Sequence, residues 1–280
     1  MQYLKLIRPV NIAIILFAGV CGVIISAGEG YALPDLTSAA ILILSAALIG
    51  ASGNVINDLF DISADRINRP GRPIASGRIS RKNGYLFFLA LSLSGIMCAF
   101  YLGPVQVLIA SVSWAVIYLY SWKLKGVILI GNITVSFFTG FLFVYTASLN
   151  GNYQSAVFPF LFAFITNFIR EIIKDTEDIK GDLLTGTVTF PYKYGIRKAV
   201  QLSSGLAVLL IVTTFTAFAV KIYSISFTVI TMILINPLLV YFIKSINLDY
   251  SLSNLRSKSG LLKLIMLLGV IAIIIGNDKF

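Results

Sequence analysis

The sequence predicts an all-α protein that crosses a membrane as a bundle of nine helices. Three observations carry this. The 280 residues are 58% hydrophobic and only 12% charged, against about 25% charged in an ordinary soluble domain, and the mean hydropathy is +0.90. Apolar stretches near the roughly 20 residues needed to span a bilayer recur along the whole chain. Laid out as spans, they sort the basic residues to one side of the membrane.

The stretches are 10–27, 37–57, 85–101, 104–121, 127–149, 156–174, 200–220, 223–243 and 261–276. The last is the shortest and holds Lys263. Pro34, Pro104, Pro159 and Pro237 begin or interrupt segments, as helix punctuation does. If the N-terminus lies inside, all but Lys221 and Lys279 of the 22 basic residues fall inside too. The expected topology is therefore a multi-pass cell-membrane protein with a cytoplasmic N-terminus and an outside C-terminus.

The net charge of +10 follows from those loops, so nucleic acid is not an expected partner, whereas membrane lipids are. Cys21 and Cys98 lie in apolar runs and read as small buried hydrophobes. The chain has no histidine, which excludes imidazole bases and imidazole metal ligands. The N-terminal pattern predicts no secretory leader.

All but Glu29, Asp35, Asp249 and Asp278 of the 12 acidic residues fall in two clusters. "DLFDISAD" carries Asp58, Asp61 and Asp65. "DTEDIKGD" carries Asp175, Asp178 and Asp182, preceded by Glu171, with Glu177 between. Both share the form D-x-x-D-x-x-x-D, both end a span on the inner side, and both precede a basic loop. The repeat predicts two related four-helix halves plus a ninth helix around a central cavity. The whole of 1–280 reads as one domain, with segments about 58–84 and 175–199 as its cytoplasmic cap.

At 100° per residue, Asn54, Asp58, Asp61 and Asp65 line one helical stripe, with Asn57 at its edge. Glu171, Asp175, Asp178 and Asp182 line another, from which Glu177 points away. Like charges at this spacing repel. A carboxylate costs about 2.5–3.5 kcal/mol near the bilayer centre, and helix C-termini disfavour negative charge. Solvated helix ends explain this poorly. Divalent cations explain it better, because Asp and Asn oxygens are hard donors suited to magnesium, which bridges readily to phosphates.

The stretch "NDLFDISADRINRPGRPIASGRIS" resembles the first signature of the UbiA-type intramembrane prenyltransferases. Its pattern N-x-x-x-D-x-x-x-D is met by Asn57, Asp61 and Asp65. The second signature is met by Asp178 and Asp182, with Asp175 one turn earlier. "IRPVN", with Arg8, resembles the family's start. A third element appears as "YSWKLK", with Tyr120, Ser121, Lys123 and Lys125, but Leu occupies the position where the family's lysine would stand. "NFIREIIKDTEDIKGD" and the first signature look most like the archaeal members that make the second ether bond of archaeal lipids.

The resemblance implies a magnesium-dependent reaction. Geranylgeranyl diphosphate would be the donor, and the acceptor would be a lipid phosphate, the sn-2 hydroxyl of geranylgeranylglyceryl phosphate. Asn57, Asp61, Asp175, Asp178 and Asp182 would bind metal, with Asp58 and Asp65 as ligands or supports. Arg66, Arg72 and either Lys123 or Lys125 would contact diphosphate, with Asn54 and Ser121 lining the substrate. Arg8, Arg69, Arg170 and Lys174 would meet an acceptor phosphate or balance the Asp stripes. An Asp or Tyr120 would take the acceptor's proton. Phe137, Phe138, Gly140, Phe160, Phe164 and Phe168 would flank the prenyl tail.

Three other readings remain. Family members with aromatic acceptors share the same signatures. A membrane transporter would place charges near mid-span, where this chain has none. CDP-alcohol phosphotransferases also use Asp-rich helices, but this chain lacks their Asp-Gly lead-in.

Overall fold

The computed structural model describes residues 1–28, 30–185 and 188–277, apart from the side chains of 68 and 180–185. Among the described residues the chain is helical with no strand. Nine helical segments among the described residues are long and apolar enough to cross a membrane. The short α1 (Gln2–Leu6) precedes α2 (Pro9–Ser26), α3 (Leu36–Phe60), α4 (Ile62–Asn68), α5 (Arg81–Leu102) and α6 (Pro104–Trp122). Then come α7 (Ile130–Ala147), α8 (Tyr153–Thr185), the short α9 (Phe190–Tyr194) and α10 (Ile196–Ala219). The eighth span is α11 (Ile225–Ile230), a π-helical turn (Thr231–Ile235) and α12 (Asn236–Leu248). The ninth is α13 (Leu252–Gly276).

Local chemistry sets these boundaries. Asp35 caps α3 by accepting the Ser38 N–H at 2.9 Å, and Ser80 caps α5 by accepting the Asn83 N–H at 3.2 Å. Each satisfies a donor that the helix leaves unpaired. Gly103, at φ 139°, turns the chain between α5 and α6, where a side chain would be strained, and Pro104 starts the next helix. The π-helical turn comes just before Pro237, which has no N–H to continue an α-helical ladder.

Contacts divide the chain into two compact units. The first comprises Met1–Ala27, Tyr31–Lys125 and Leu142–Tyr153; the second comprises Gly28–Gly30, Gly126–Phe141 and Gln154–Phe280. The first four spans belong to one unit, and the last four to the other. Helix α7 contributes to both, and the ninth span is packed into the second unit rather than added outside it. A Cβ on Gly276 would lie 2.3 Å from the Phe227 side chain, so α13 and α11 touch closely there.

In the first unit α3 packs against α2, α5 and α6. Small residues let the backbones approach, as they do where lipid offers no hydrophobic drive. A Cβ on Gly95 would fall 2.9 Å from Ile49. Beside it, Ser45 Oγ donates to the Gly95 carbonyl at 2.8 Å. Leu89, Leu93, Met97 and Phe100 of α5 are exposed, forming an apolar outer face of the kind lipid tails cover. In the second unit α8 is largely buried, and Gly140 of α7 sits against the Phe160 carbonyl, where a Cβ would come within 2.6 Å.

Candidate active site

The first Asp motif is not one continuous helix. Helix α3 ends at Phe60, Asp61 takes φ −88° and ψ 10°, and α4 starts at Ile62. Asp58 ends on the last turn of α3 at 3% exposure, where the helix dipole opposes its charge. Two guanidiniums offset both penalties. Arg8 Nη2 donates to Asp58 Oδ1 at 2.6 Å, and Arg72 Nη1 donates to the same oxygen at 2.9 Å. Arg72 Nη1 also reaches Asp65 Oδ2 at 2.5 Å. Burial pushes the Asp65 carboxyl above its ordinary pKa, with Arg72 opposing that rise.

Arg8 joins this cluster through an unusual backbone. It stands before Pro9 with φ 56°, whereas a residue before proline prefers extended geometry. Asn54 Nδ2 donates to the Ile7 carbonyl at 2.9 Å, fixing the same turn from the α3 side. Asn54 therefore holds the N-terminal segment in place.

Asp61 faces a different cation. Lys125 Nζ donates to Asp61 Oδ2 and lies 3.5 Å from Asn57 Oδ1. An amide oxygen and a carboxylate oxygen thus converge on one ammonium. Lys125 follows α6 in a short 3-10 turn, Leu124–Gly126. Lys123 does not join it; its ammonium sits 4.3 Å from the ring centroid of Trp122. Ser121 is buried, and its Oγ has no partner among the described residues. Tyr120 is half-buried on the last turn of α6.

The second motif lies in the second unit, on the long C-terminal extension of α8. Glu171 accepts from Arg170 Nη1 at 2.7 Å and from Lys174 Nζ at 3.3 Å. Asp175 Oδ2 accepts from Asn132 Nδ2 of α7 at 2.8 Å. Asp178 is exposed. The Asp182 side chain lies outside the described residues. Glu177 points elsewhere and meets Arg256 of α13 at 3.5 Å. Phe160, Phe164 and Phe168 stack along α8, and Phe137 of α7 meets Phe160 edge-on.

The structure thus gathers Arg8, Asn54, Asn57, Asp58, Asp61, Asp65, Arg72 and Lys125 in one unit, and Arg170, Lys174 and Asp175 in the other. Arg66 and Arg69 are exposed and carry no ion pair among the described residues. Asn132 escaped the sequence reading. Its only signal is one amide in an apolar run, level with the start of α7. Among the described residues no three carboxylate, thiol or imidazole groups converge on a metal position.

A sequence model of the UbiA prenyltransferase family matches residues 10–271. The chain belongs to this family. It is a UbiA-type prenyltransferase, and the family resemblance of its Asp motifs is borne out. It is similar to a digeranylgeranylglyceryl phosphate synthase of Methanopyrus kandleri, 39% identical over 213 residues, 76% of each chain. Among solved structures, one concerned with digeranylgeranylglyceryl phosphate synthase in membranes shares 30% identity. It gives a TM-score of 0.84 and covers 100% of this chain and 98% of that one. A UbiA homolog from Archaeoglobus fulgidus, bound to GPP and Mg2+, is 18% identical with a TM-score of 0.67 over 98% of this chain and 99% of its own. That last likeness concerns the fold.

Proposed function

We propose that this prenyltransferase joins the geranylgeranyl group of geranylgeranyl diphosphate to the sn-2 hydroxyl of geranylgeranylglyceryl phosphate. The product carries the second ether bond of an archaeal membrane lipid. The observation that carries the reading is the convergence of Asn57 Oδ1 and Asp61 Oδ2 on one cation, backed by two carboxylates already held by arginines. The name of the 39% identical relative supports the substrate pair.

The donor set fits magnesium. Amide and carboxylate oxygens are hard ligands, and the Lys125 ammonium marks a point where positive charge is already accepted. Asn57 and Asp61 in the first unit, and Asp175, Asp178 and Asp182 in the second, would each serve as metal ligands. When bound, magnesium would offset the charge that gathers on the diphosphate as its C–O bond breaks.

The chain's own side chains have separate duties in this proposal. Arg8 and Arg72 keep Asp58 and Asp65 oriented behind the ligands. Lys125 is 38% exposed in its side chain and passes from Asp61 to a diphosphate oxygen. Arg69 in the first unit, and Arg170 and Lys174 in the second, are candidates for an acceptor phosphate or for balancing the Asp stripes. The acceptor hydroxyl attacks the allylic carbon and gives its proton to an Asp or to Tyr120. The stacked phenylalanines of α8 exclude water from the allylic carbon as its bond to diphosphate breaks. Segments 58–84 and 175–199 act as the cytoplasmic cap of one catalytic domain, and the N-terminus lies inside, as the basic loops favour.

The decisive experiment combines purified protein, magnesium and geranylgeranyl diphosphate with a panel of acceptors. Ether product with geranylgeranylglyceryl phosphate is expected. Product only with an aromatic acid overturns the glycerophosphate reading.

A further inference from the structure

The first unit contains a cavity of about 530 Å³ beside the Asp motif's helices, lined by residues of α3, α4 and the loop that follows. Its floor is apolar. Leu59, Ile74 and Ile79 are almost fully buried there, joined by Phe60. Its rim is polar and basic, built from Ser63, Arg66, Ser80 and Arg81. None of Asp58, Asp61 and Asp65 lines this cavity.

Two cations meet here without an acid. Among the described residues, Arg66 has no ion pair and Arg81 has none either, its guanidinium lying 5.8 Å from the Tyr85 ring centroid. Elsewhere in this unit the arginines that face buried carboxylates are spoken for, Arg8 by Asp58 and Arg72 by Asp58 and Asp65. The volume is within the usual range for small-molecule sites, roughly 300–1,000 Å³. Its walls come from the end of one span and the start of the next, which is where lipid headgroups lie.

We propose that this cavity binds the phosphate headgroup of a lipid, with Arg66 and Arg81 on the phosphate and the Leu59–Ile74–Ile79 floor under the first carbons of the chain. Guanidinium forks match phosphate oxygens, and the Ser63 hydroxyl adds a donor. Two lipids offer this chemistry, the phosphate-bearing acceptor and an anionic lipid of the surrounding membrane. The acceptor alternative rests on the proposed reaction; the membrane-lipid alternative does not.

The test is native mass spectrometry of the full-length protein in detergent with phosphatidate, geranylgeranylglyceryl phosphate or phosphatidylcholine. The unmodified protein is expected to retain a phosphate monoester lipid in preference to phosphatidylcholine. Arg66→Gln with Arg81→Gln should weaken that retention by roughly tenfold per arginine. Ser63→Trp, which fills the space, should do the same while leaving both charges in place. Retention of phosphatidate lost together with a raised KM for geranylgeranylglyceryl phosphate in Arg81→Gln assigns the cavity to the acceptor. Retention lost with KM unchanged assigns it to membrane lipid. Unmodified protein that retains neither phosphate lipid overturns the proposal, as do variants that retain them undiminished.

Discussion

The two Asp motifs share a spacing but not a setting. In the first, the carboxylates are held by cations that arrive from other segments. Arg8 comes from the N-terminal turn, Arg72 from the loop after α4, and Lys125 from the far end of α6. In the second, Glu171 leans on Arg170 and Lys174 of its own helix, Asp175 takes an amide from α7, and Asp178 is exposed. A repeated motif can thus be fixed on one side and left adaptable on the other. The fixed motif has buried charges whose partners it cannot lose. The adaptable one presents Asp178 to its surroundings.

The sharpest break in this contrast is Arg72→Ala. It leaves Asp58 and Asp65 facing each other with one guanidinium gone, and should cost about 3–5 kcal/mol of stability, as broken buried pairs do. Thermal unfolding in detergent reads this directly; an unchanged midpoint would show that the first motif is not held by its ion pairs. Asp61→Ala and Asp178→Ala come next. Each should lower kcat by about 10²–10³-fold, the usual scale for removing one group that stabilises developing charge. Full turnover in either variant would sink the metal-binding assignment of that residue.

Asn132→Ala removes the amide that Asp175 accepts from α7, in the adaptable motif. A rise in the magnesium concentration needed for half-maximal rate, with stability little changed, would mark Asn132 as positioning Asp175. A fall in stability alone would make it a packing residue. The smallest effect concerns pH. Burial raises the Asp65 pKa in the folded chain, so the folded state binds this proton more tightly than the unfolded one. Stability from this group is fullest below the ordinary Asp value and is lost as pH rises through the raised value. Comparing melting points from mildly acidic to neutral pH, the unmodified protein should lose more stability than Asp65→Asn. Parallel curves would contradict the burial effect.

Much of the fold was legible because lipid imposes a simple rule of long apolar helices, and all nine stretches became spans. Their ends were less legible. The ninth was expected from residue 261, yet α13 starts at Leu252. Helix continues through Arg256, Lys258 and Lys263, charges that a hydropathy reading takes as a stop. The sixth was expected to end at 174, yet α8 runs on through the acidic stripe. Spacing did reveal the stripes, since helical period needs only local sequence. It did not reveal the break at Asp61, nor which cation serves which acid. Arg8 and Asp58 are 50 positions apart, and Lys125 and Asp61 are 64. No local pattern encodes such pairings. The choice between Lys123 and Lys125 for the first motif came only with geometry.

The left-handed turn at Arg8 has a consequence for how the chain is made. Its guanidinium has nothing to grip until Asp58, at the end of the second span, has been synthesised. The Asn54 amide that holds Ile7 also arrives late. The first residues to leave the ribosome should therefore be among the later ones to settle. A nascent chain arrested before Asp58 should lose its N-terminal segment to protease, and one that extends past Arg72 should keep it.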